Sequence, residues 1–124
     1  MKKNKLILVI DDDTENNLLM RRIIGFIKEE PFFVVSGEYA LNWLQNNRPD
    51  LILCDISLPD ISGLELIRQI RLMEGFQSLP VIAVSAHDLE EDINDALNAG
   101  FTDYQVKPFM PHELINRIKK YLYE

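Results

Sequence analysis

Residues that could carry out acid and phosphate chemistry stand directly after short apolar runs of this sequence. They are Asp11 and Asp12 after residues 6–10, Asp55 after residues 51–54, Ser85 after residues 81–84 and Lys107 after residues 104–106. If the runs are parallel strands of one open sheet, their carboxyl ends share the edge where α/β proteins bind ligands. The sequence therefore predicts a site with carboxylates, one hydroxyl and one ammonium group.

This set of side chains predicts binding of a hard divalent cation and of a phosphoryl group. Clustered carboxylates repel each other, and one lysine supplies too little positive charge to compensate for them. Mg²⁺ prefers oxygen ligands and commonly binds one or two carboxylates together with phosphate oxygens. Lys107 would attract the phosphoryl oxygens, and Ser85 would donate a hydrogen bond to one of them. The reaction class that fits is phosphoryl transfer to the carboxylate of Asp55.

Each of these residues also has an ordinary structural interpretation. Acidic residues after a strand often form a solvated loop or a helix cap, and Asp13 or Thr14 is expected to cap the following helix in either case. Taken singly, Asp55 is typical of a turn, Ser85 of a turn or cap, and Lys107 of the surface. Their joint position at strand ends favours the chemical interpretation.

The elements that must position these residues alternate regularly along the chain. The apolar runs typical of strands are residues 6–10, 32–35, 51–54, 81–84 and 104–106. The stretches with helical spacing of apolar residues are 16–28, 39–46, 64–73, 89–99 and 111–123. Strict strand–helix alternation predicts an α/β fold with a parallel sheet and helices on both of its faces.

Two helix boundaries have specific sequence signals. Ser62 and Glu65 have the spacing of a capping box, which predicts that the third helix begins near Gly63. Gly100 is placed to end the fourth helix.

The size and charge of the chain limit its possible functions. Its 124 residues fit one domain, residues 1–124. The net charge of −7 argues against general nucleic-acid or membrane-surface binding, because both partners are anionic. The single cysteine, Cys54, cannot form an internal disulfide and is expected to be a buried apolar residue. No signal-peptide pattern or membrane span is found, so the expected location is the cytoplasm.

Four segments of the sequence resemble the response-regulator receiver family of two-component signalling. They are residues 7–13 (ILVIDDD), 50–64 (DLILCDISLPDISGL), 80–86 (PVIAVSA) and 99–109 (AGFTDYQVKPF). They occur in the order found in the family and together extend over nearly the whole chain. The resemblance implies a flavodoxin-like, doubly wound (βα)5 sandwich with parallel strands in the order 2-1-3-4-5.

The resemblance assigns a role to each residue of the acidic site. Asp55 would be the phosphorylated residue, and Lys107 would bind the phosphoryl group. The Mg²⁺ ligands would be Asp12, Asp55 and the backbone carbonyl of Ser57, with Asp11 acting mainly through water. The Lys107–Pro108 peptide bond is cis in the family.

Further positions match the switch residues and the modulating residues of the family. Ser85 would be the switch hydroxyl, and Tyr104 would be the aromatic residue that turns inward with it. Ala86 is small and would leave the phosphoryl group accessible. Ser57 and His87 would line the mouth of the site and modulate the lifetime of the phosphoryl group.

The same resemblance implies a signalling function. A sensor histidine kinase or a histidine phosphotransfer domain would donate a phosphoryl group to Asp55, and water would later remove it. Phosphorylation would change the surface of the fourth helix, fifth strand and fifth helix. A stand-alone, chemotaxis-regulator-like receiver, monomeric or weakly dimeric, would use this surface to contact a downstream protein. Beyond its own phosphorylation and dephosphorylation, no enzymatic activity is expected.

Three alternatives are compatible with the same residues. The chain could be a phosphorelay intermediate or a phosphate sink. It could be an aspartyl-phosphate phosphatase that uses Asp11 in an Asp-x-Asp motif, although 124 residues leave no room for a cap domain. It could also be a binding scaffold, but a scaffold has no need for Lys107 and Ser85 beside three acids.

Two segments depart from the pattern of the family. The connection between the second strand and second helix, within residues 32–40, lacks a few residues, and the shortened loop is expected to lie far from the acidic edge. The fourth helix contains no Lys or Arg. The dimerisation that uses basic residues of that helix in DNA-binding relatives is therefore not expected.

Overall fold

Five parallel strands form one sheet in the computed structural model, which describes residues 3–123. The strands are β1 (Leu6–Ile10), β2 (Glu30–Val34), β3 (Leu51–Asp55), β4 (Val81–Ser85) and β5 (Asp103–Val106). Their order is β2-β1-β3-β4-β5, with β2 and β5 at the two edges. The predicted flavodoxin-like order is confirmed.

Five helices connect and follow the strands. They are α1 (Thr14–Phe26), α2 (Gly37–Leu44), α3 (Gly63–Leu72), α4 (Glu90–Ala99) and α5 (Pro111–Leu122). Helix α1 begins directly after Asp13, one of the two residues predicted to cap it, although the apolar spacing began at residue 16, and α2 begins two residues before the predicted stretch. In both cases a side chain caps the earlier start, because Asp13 accepts a hydrogen bond from the amide of Glu15, and Ser36 accepts one from the amide of Tyr39.

The strands separate two apolar layers, because successive side chains of a strand point to opposite faces. One layer packs the strands against α2, α3 and α4, and its central strand residues are Leu8, Ile10, Ile52, Cys54 and Ala83. The other packs them against α1 and α5, and its central strand residues are Ile7, Val9, Leu53, Ile82 and Val84. Helices on both faces explain why β3 and β4 are buried along their whole length.

Arg71, near the end of α3, joins two loops, α3–β4 and α4–β5, at the end of the sheet opposite the acidic edge. Its Nε donates to the carbonyl of Gly100 at 2.9 Å, and its Nη1 donates to the carbonyls of Phe76 at 2.8 Å and Leu79 at 2.6 Å. Desolvation lowers the pKa of this guanidinium. Gly100 has φ +131°, a backbone conformation that favours glycine, and it ends α4 as predicted.

A polar network joins β5 to α5. Arg117 donates from Nε to Gln105 Oε1 at 2.9 Å and from Nη1 to Asp103 Oδ1 at 2.7 Å. The hydroxyl of Tyr121 donates to Asp103 Oδ2 at 2.9 Å, and the amide of Tyr104 donates to Asp103 Oδ1 at 2.8 Å. Both oxygens of Asp103 therefore accept hydrogen bonds from within the protein.

Among the helices of residues 3–123, none combines the length and the apolar character that crossing a lipid bilayer requires.

Candidate functional site

The register of the sheet brings Asp11 and Asp55 together. Ile10 of β1 is aligned with Cys54 of β3, so the next residue of each strand reaches the same edge. Asp11 is 2 % exposed and Asp55 is 9 % exposed. Asp12 is exposed, and carboxylate oxygens of all three aspartates lie within 4.8 Å of one another.

Lys107 lies between the two buried carboxylates. Its Nζ is 3.9 Å from Asp11 Oδ2 and 3.9 Å from Asp55 Oδ2. The amide of Lys107 donates to the carbonyl of Ser85 at 2.8 Å, which holds the backbone of Lys107 beside the end of β4. The Lys107–Pro108 bond is cis, as the family resemblance implied.

Each buried carboxylate has one oxygen near the lysine and the other on a backbone amide. Asp11 Oδ1 accepts from the amide of Asp13 at 2.9 Å, and Asp55 Oδ1 accepts from the amide of Ser57 at 3.1 Å. Burial raises the pKa of Asp11; the Asp13 amide bond opposes the rise, and repulsion from Asp55 adds to it. Lys107 pairs with two of the three acids, so the cluster keeps an excess of negative charge, and its oxygen-rich donor set fits a hard divalent cation such as Mg²⁺.

The loop that carries Ser57 has a fixed base. The amide of Gly63 donates to the carbonyl of Ile56 at 2.8 Å, and an antiparallel bridge pairs Ser57 with Ser62. A Cβ at Gly63 would lie 2.6 Å from the Cα of Ile56, so this close approach requires glycine. Ser62 caps α3 by accepting from the amide of Glu65, as predicted.

The predicted switch residues lie around the loop that follows β4. Ser85 is 1 % exposed, and its Oγ accepts from the amide of His87 at 3.1 Å. Tyr104 is 5 % exposed and points inward, and its hydroxyl donates to the carbonyl of His87 at 2.7 Å. Ala86 and His87 are exposed. The structure therefore brings Ser85, His87 and Tyr104 into one hydrogen-bonded group.

Cys54 lies directly behind the acidic site. Its side chain is 1 % exposed, and its Sγ donates to the carbonyl of Asp55 at 3.2 Å. Burial raises the pKa of the thiol, with a further contribution from the charges of Asp55 and Asp11. Cys54 thus belongs to the core, as the sequence predicted.

Two residues beside the site were not identified from the sequence. Asn17 in α1 donates from Nδ2 to the backbone carbonyl of Asp11 at 2.9 Å. Asp60, which resembles an ordinary turn residue, accepts from the amides of Gly37 at 3.0 Å and Glu38 at 2.8 Å. The expectation that the shortened loop before α2 lies far from the site is therefore wrong in one respect, because the start of α2 contacts the loop that carries Ser57.

Comparison with known proteins defines the class of this chain. Residues 7–119 match the response regulator receiver domain model, and the chain belongs to that family. It is 35 % identical over 118 residues to the polar-differentiation response regulator DivK of Brucella ovis, covering 95 % of this chain and 96 % of DivK. It is also 35 % identical over 116 residues to the response regulator MprA of a Mycobacterium species, covering 94 % of this chain but 50 % of MprA.

A solved structure supports the assignment of the acidic site. The receiver domain of a sensor histidine kinase from Pseudomonas aeruginosa superposes with a TM-score of 0.90 and 29 % sequence identity, covering 98 % of this chain and 99 % of that one. That structure holds a magnesium ion in its active-site cleft. The chain is thus a receiver domain of two-component signalling with an acidic cluster of the kind that binds Mg²⁺ in receiver domains.

Proposed function

We propose that this chain accepts a phosphoryl group on Asp55 from a phosphohistidine of a partner protein, with Mg²⁺ bound at the acidic edge. The observation that carries the proposal is the position of Lys107, whose Nζ is 3.9 Å from an oxygen of Asp11 and from an oxygen of Asp55. A cation between two carboxylates can attract a phosphoryl group while Mg²⁺ compensates the acids. The donor would be a sensor histidine kinase or a histidine phosphotransfer domain.

The proposed reaction transfers the phosphoryl group from a histidine nitrogen of the partner to a carboxylate oxygen of Asp55. An oxygen of Asp55 forms a bond to phosphorus while the bond between phosphorus and the histidine nitrogen breaks, and the electron pair of that bond stays on the nitrogen. Asp12, Asp55 and the carbonyl of Ser57 would hold Mg²⁺, with Asp11 mainly through water, and the ion would supply positive charge next to the transferred group. Lys107 supplies a second positive charge. Attack by water later returns Asp55 to its free form, so the chain acts only on itself.

The proposed output is a change of surface. Ser85 would donate its hydroxyl hydrogen to the new phosphoryl oxygens, and the movement of Oγ towards them would change the bond that Oγ now accepts from the amide of His87. Tyr104 reports this change, because its hydroxyl is bound to the carbonyl of the same His87. The surface of α4, β5 and α5 would then bind a downstream protein in the cytoplasm.

The test measures phosphoryl uptake from acetyl phosphate in the presence of Mg²⁺. Intact-protein mass spectrometry should detect one added phosphoryl group in the wild type, none in Asp55→Asn, and the wild-type result in Asp103→Asn, a matched control at the start of β5. Chelation of Mg²⁺ should abolish the addition. If Asp11→Asn loses the addition while Asp55→Asn retains it, the proposal is wrong, and Asp11 would be the nucleophile.

A second candidate is a phosphorelay intermediate. It is favoured by the similarity to a receiver domain that belongs to a sensor histidine kinase. In that case phosphorylated wild type would pass its phosphoryl group to an added histidine phosphotransfer domain faster than water removes it. A receiver that signals by protein contact would instead lose the group to water at the same rate with or without that domain.

A further inference from the structure

The start of α2 is held by a carboxylate from another loop. Asp60 Oδ1 accepts from the amide of Gly37 at 3.0 Å, and Asp60 Oδ2 accepts from the amide of Glu38 at 2.8 Å. The first amides of a helix have no partner within the helix, and the helix dipole favours a negative charge at this end. These two amide bonds lower the pKa of Asp60. The loop between β3 and α3 is therefore clamped to α2 through one side chain.

The same two segments touch at a glycine. A Cβ at Gly37 would lie 2.1 Å from Cγ2 of Ile61, the residue after Asp60. The first residue of α2 therefore fits against the tip of the β3–α3 loop only because it has no side chain.

The clamped loop is the one that carries the predicted carbonyl ligand. Its base is fixed at the site, because the amide of Ser57 donates to Asp55 Oδ1 and an antiparallel bridge pairs Ser57 with Ser62. Its tip is exposed at Pro59 and Asp60. The bonds from Asp60 to α2 anchor that tip.

We propose that Asp60 is a positioning residue of the magnesium site. By fixing the tip of the β3–α3 loop to α2, Asp60 holds the carbonyl of Ser57 in the orientation that binds the metal. The inference rests on the proposed function, since it requires Mg²⁺ at this edge. Residues that orient a metal ligand without touching the metal commonly change metal affinity by about 10–100-fold when they are replaced.

The experiment compares two caps of the same helix. Asp60 caps α2 from the β3–α3 loop, whereas Ser36 caps it from the preceding residue by accepting from the amide of Tyr39 at 3.1 Å. Asp60→Ala and Ser36→Ala should both lower the thermal stability. Magnesium affinity, measured by titrating backbone amide NMR signals with MgCl2 in the absence of any phosphoryl donor, should fall about tenfold in Asp60→Ala and stay at the wild-type value in Ser36→Ala.

Two further variants change the clamp by different means. Asp60→Asn keeps one acceptor oxygen and should give an affinity between the wild type and Asp60→Ala. Gly37→Ala should also weaken Mg²⁺ binding, because its new methyl group displaces Ile61 and with it the loop tip. Both variants keep most of the surrounding contacts, so they provide the measurement even if Asp60→Ala does not fold.

Three outcomes would overturn the inference. Wild-type affinity in Asp60→Ala and in Gly37→Ala would show that the clamp does not act on the metal site. An equal loss of affinity in Ser36→Ala would show that only the stability of α2 matters. If the wild type itself binds no Mg²⁺, the proposed function fails together with the inference, whereas the first two outcomes leave the proposed function intact.

Discussion

Two polar regions of this receiver domain differ in how far their negative charges are compensated. In the β5–α5 network, Asp103 accepts from Arg117, Tyr121 and the amide of Tyr104. At the acidic edge, Lys107 pairs with Asp11 and Asp55 but is, within residues 3–123, the one cation beside three aspartates, and burial raises the pKa of Asp11. In the first region both oxygens of Asp103 have partners within the protein, whereas the second region is short of positive charge. This difference predicts that the first region contributes to stability and that the second is reserved for a ligand.

The largest expected effect is stabilisation by Mg²⁺. A ligand at 100 times its dissociation constant raises the free energy of unfolding by about 2.7 kcal/mol. Urea unfolding of the wild type with and without MgCl2 should show an increase of this size. Asp55→Asn should lose most of it, and Asp103→Asn should keep it. An equal Mg²⁺ effect in Asp55→Asn would contradict the assignment of the metal to the acidic edge.

The second-largest effect is expected in the β5–α5 network around Asp103. Asp103→Ala removes the acceptor of three hydrogen bonds and should lower the free energy of unfolding by about 1–2 kcal/mol, a range reduced because Arg117 is partly exposed. Denaturant unfolding measures the change, and Asp103→Asn, which keeps one oxygen, should lose less. Unchanged stability in Asp103→Ala would mean that the network is only a surface arrangement.

Replacing an aspartate at the acidic edge should instead raise the free energy of unfolding. Asp11→Asn removes a buried charge that faces Asp55, while its remaining oxygen can still accept from the amide of Asp13. In the absence of Mg²⁺ this variant should be more stable than the wild type by about 1 kcal/mol. Thermal unfolding in a chelating buffer tests the sign. A loss of stability would mean that the bond between Lys107 and Asp11 outweighs the repulsion.

The smallest effect is a change in titration. Burial and the bond to Asp103 raise the pKa of Tyr121 above its ordinary value. The protonated form is thus favoured in the folded state, and its contribution to stability is present below about pH 10 and is lost as the pH rises through the folded pKa. Ring signals of Tyr121, followed by NMR against pH, should titrate at a lower pH in Asp103→Asn than in the wild type. An unchanged midpoint would show that Asp103 does not act on this phenol.

The acidic edge could be predicted because its causes are local in the sequence. Each chemical residue directly follows an apolar run, and parallel strands place their carboxyl ends together. Asp11 and Asp55 meet because Ile10 and Cys54 are in register in neighbouring strands, and the family resemblance had implied that the first and third strands are neighbours. The cap of α1 at Asp13 was also predicted, whereas the cap of α2 at Ser36 was not, because short polar residues also occur in loops.

The clamp by Asp60 could not be predicted in the same way. Its partners lie 23 and 22 residues earlier in the chain, across two loops whose approach depends on how α2 packs. Asp60 stands beside Pro59 and close to Ser62 and Gly63, so the local sequence indicates only a turn. The hydrogen bonds of Arg71 are similar, because its acceptors are backbone carbonyls and have no sequence signature.

The buried thiol of Cys54 is an internal probe of how often this domain opens. The thiol is the only one in the chain, it is 1 % exposed, and its raised pKa keeps it in the unreactive protonated form while the sheet is closed. An alkylating reagent can therefore modify only those molecules in which β3 has separated from its neighbours. The rate of modification reports how often the domain opens, and a bound ion should slow that rate exponentially with the free energy of unfolding that it adds.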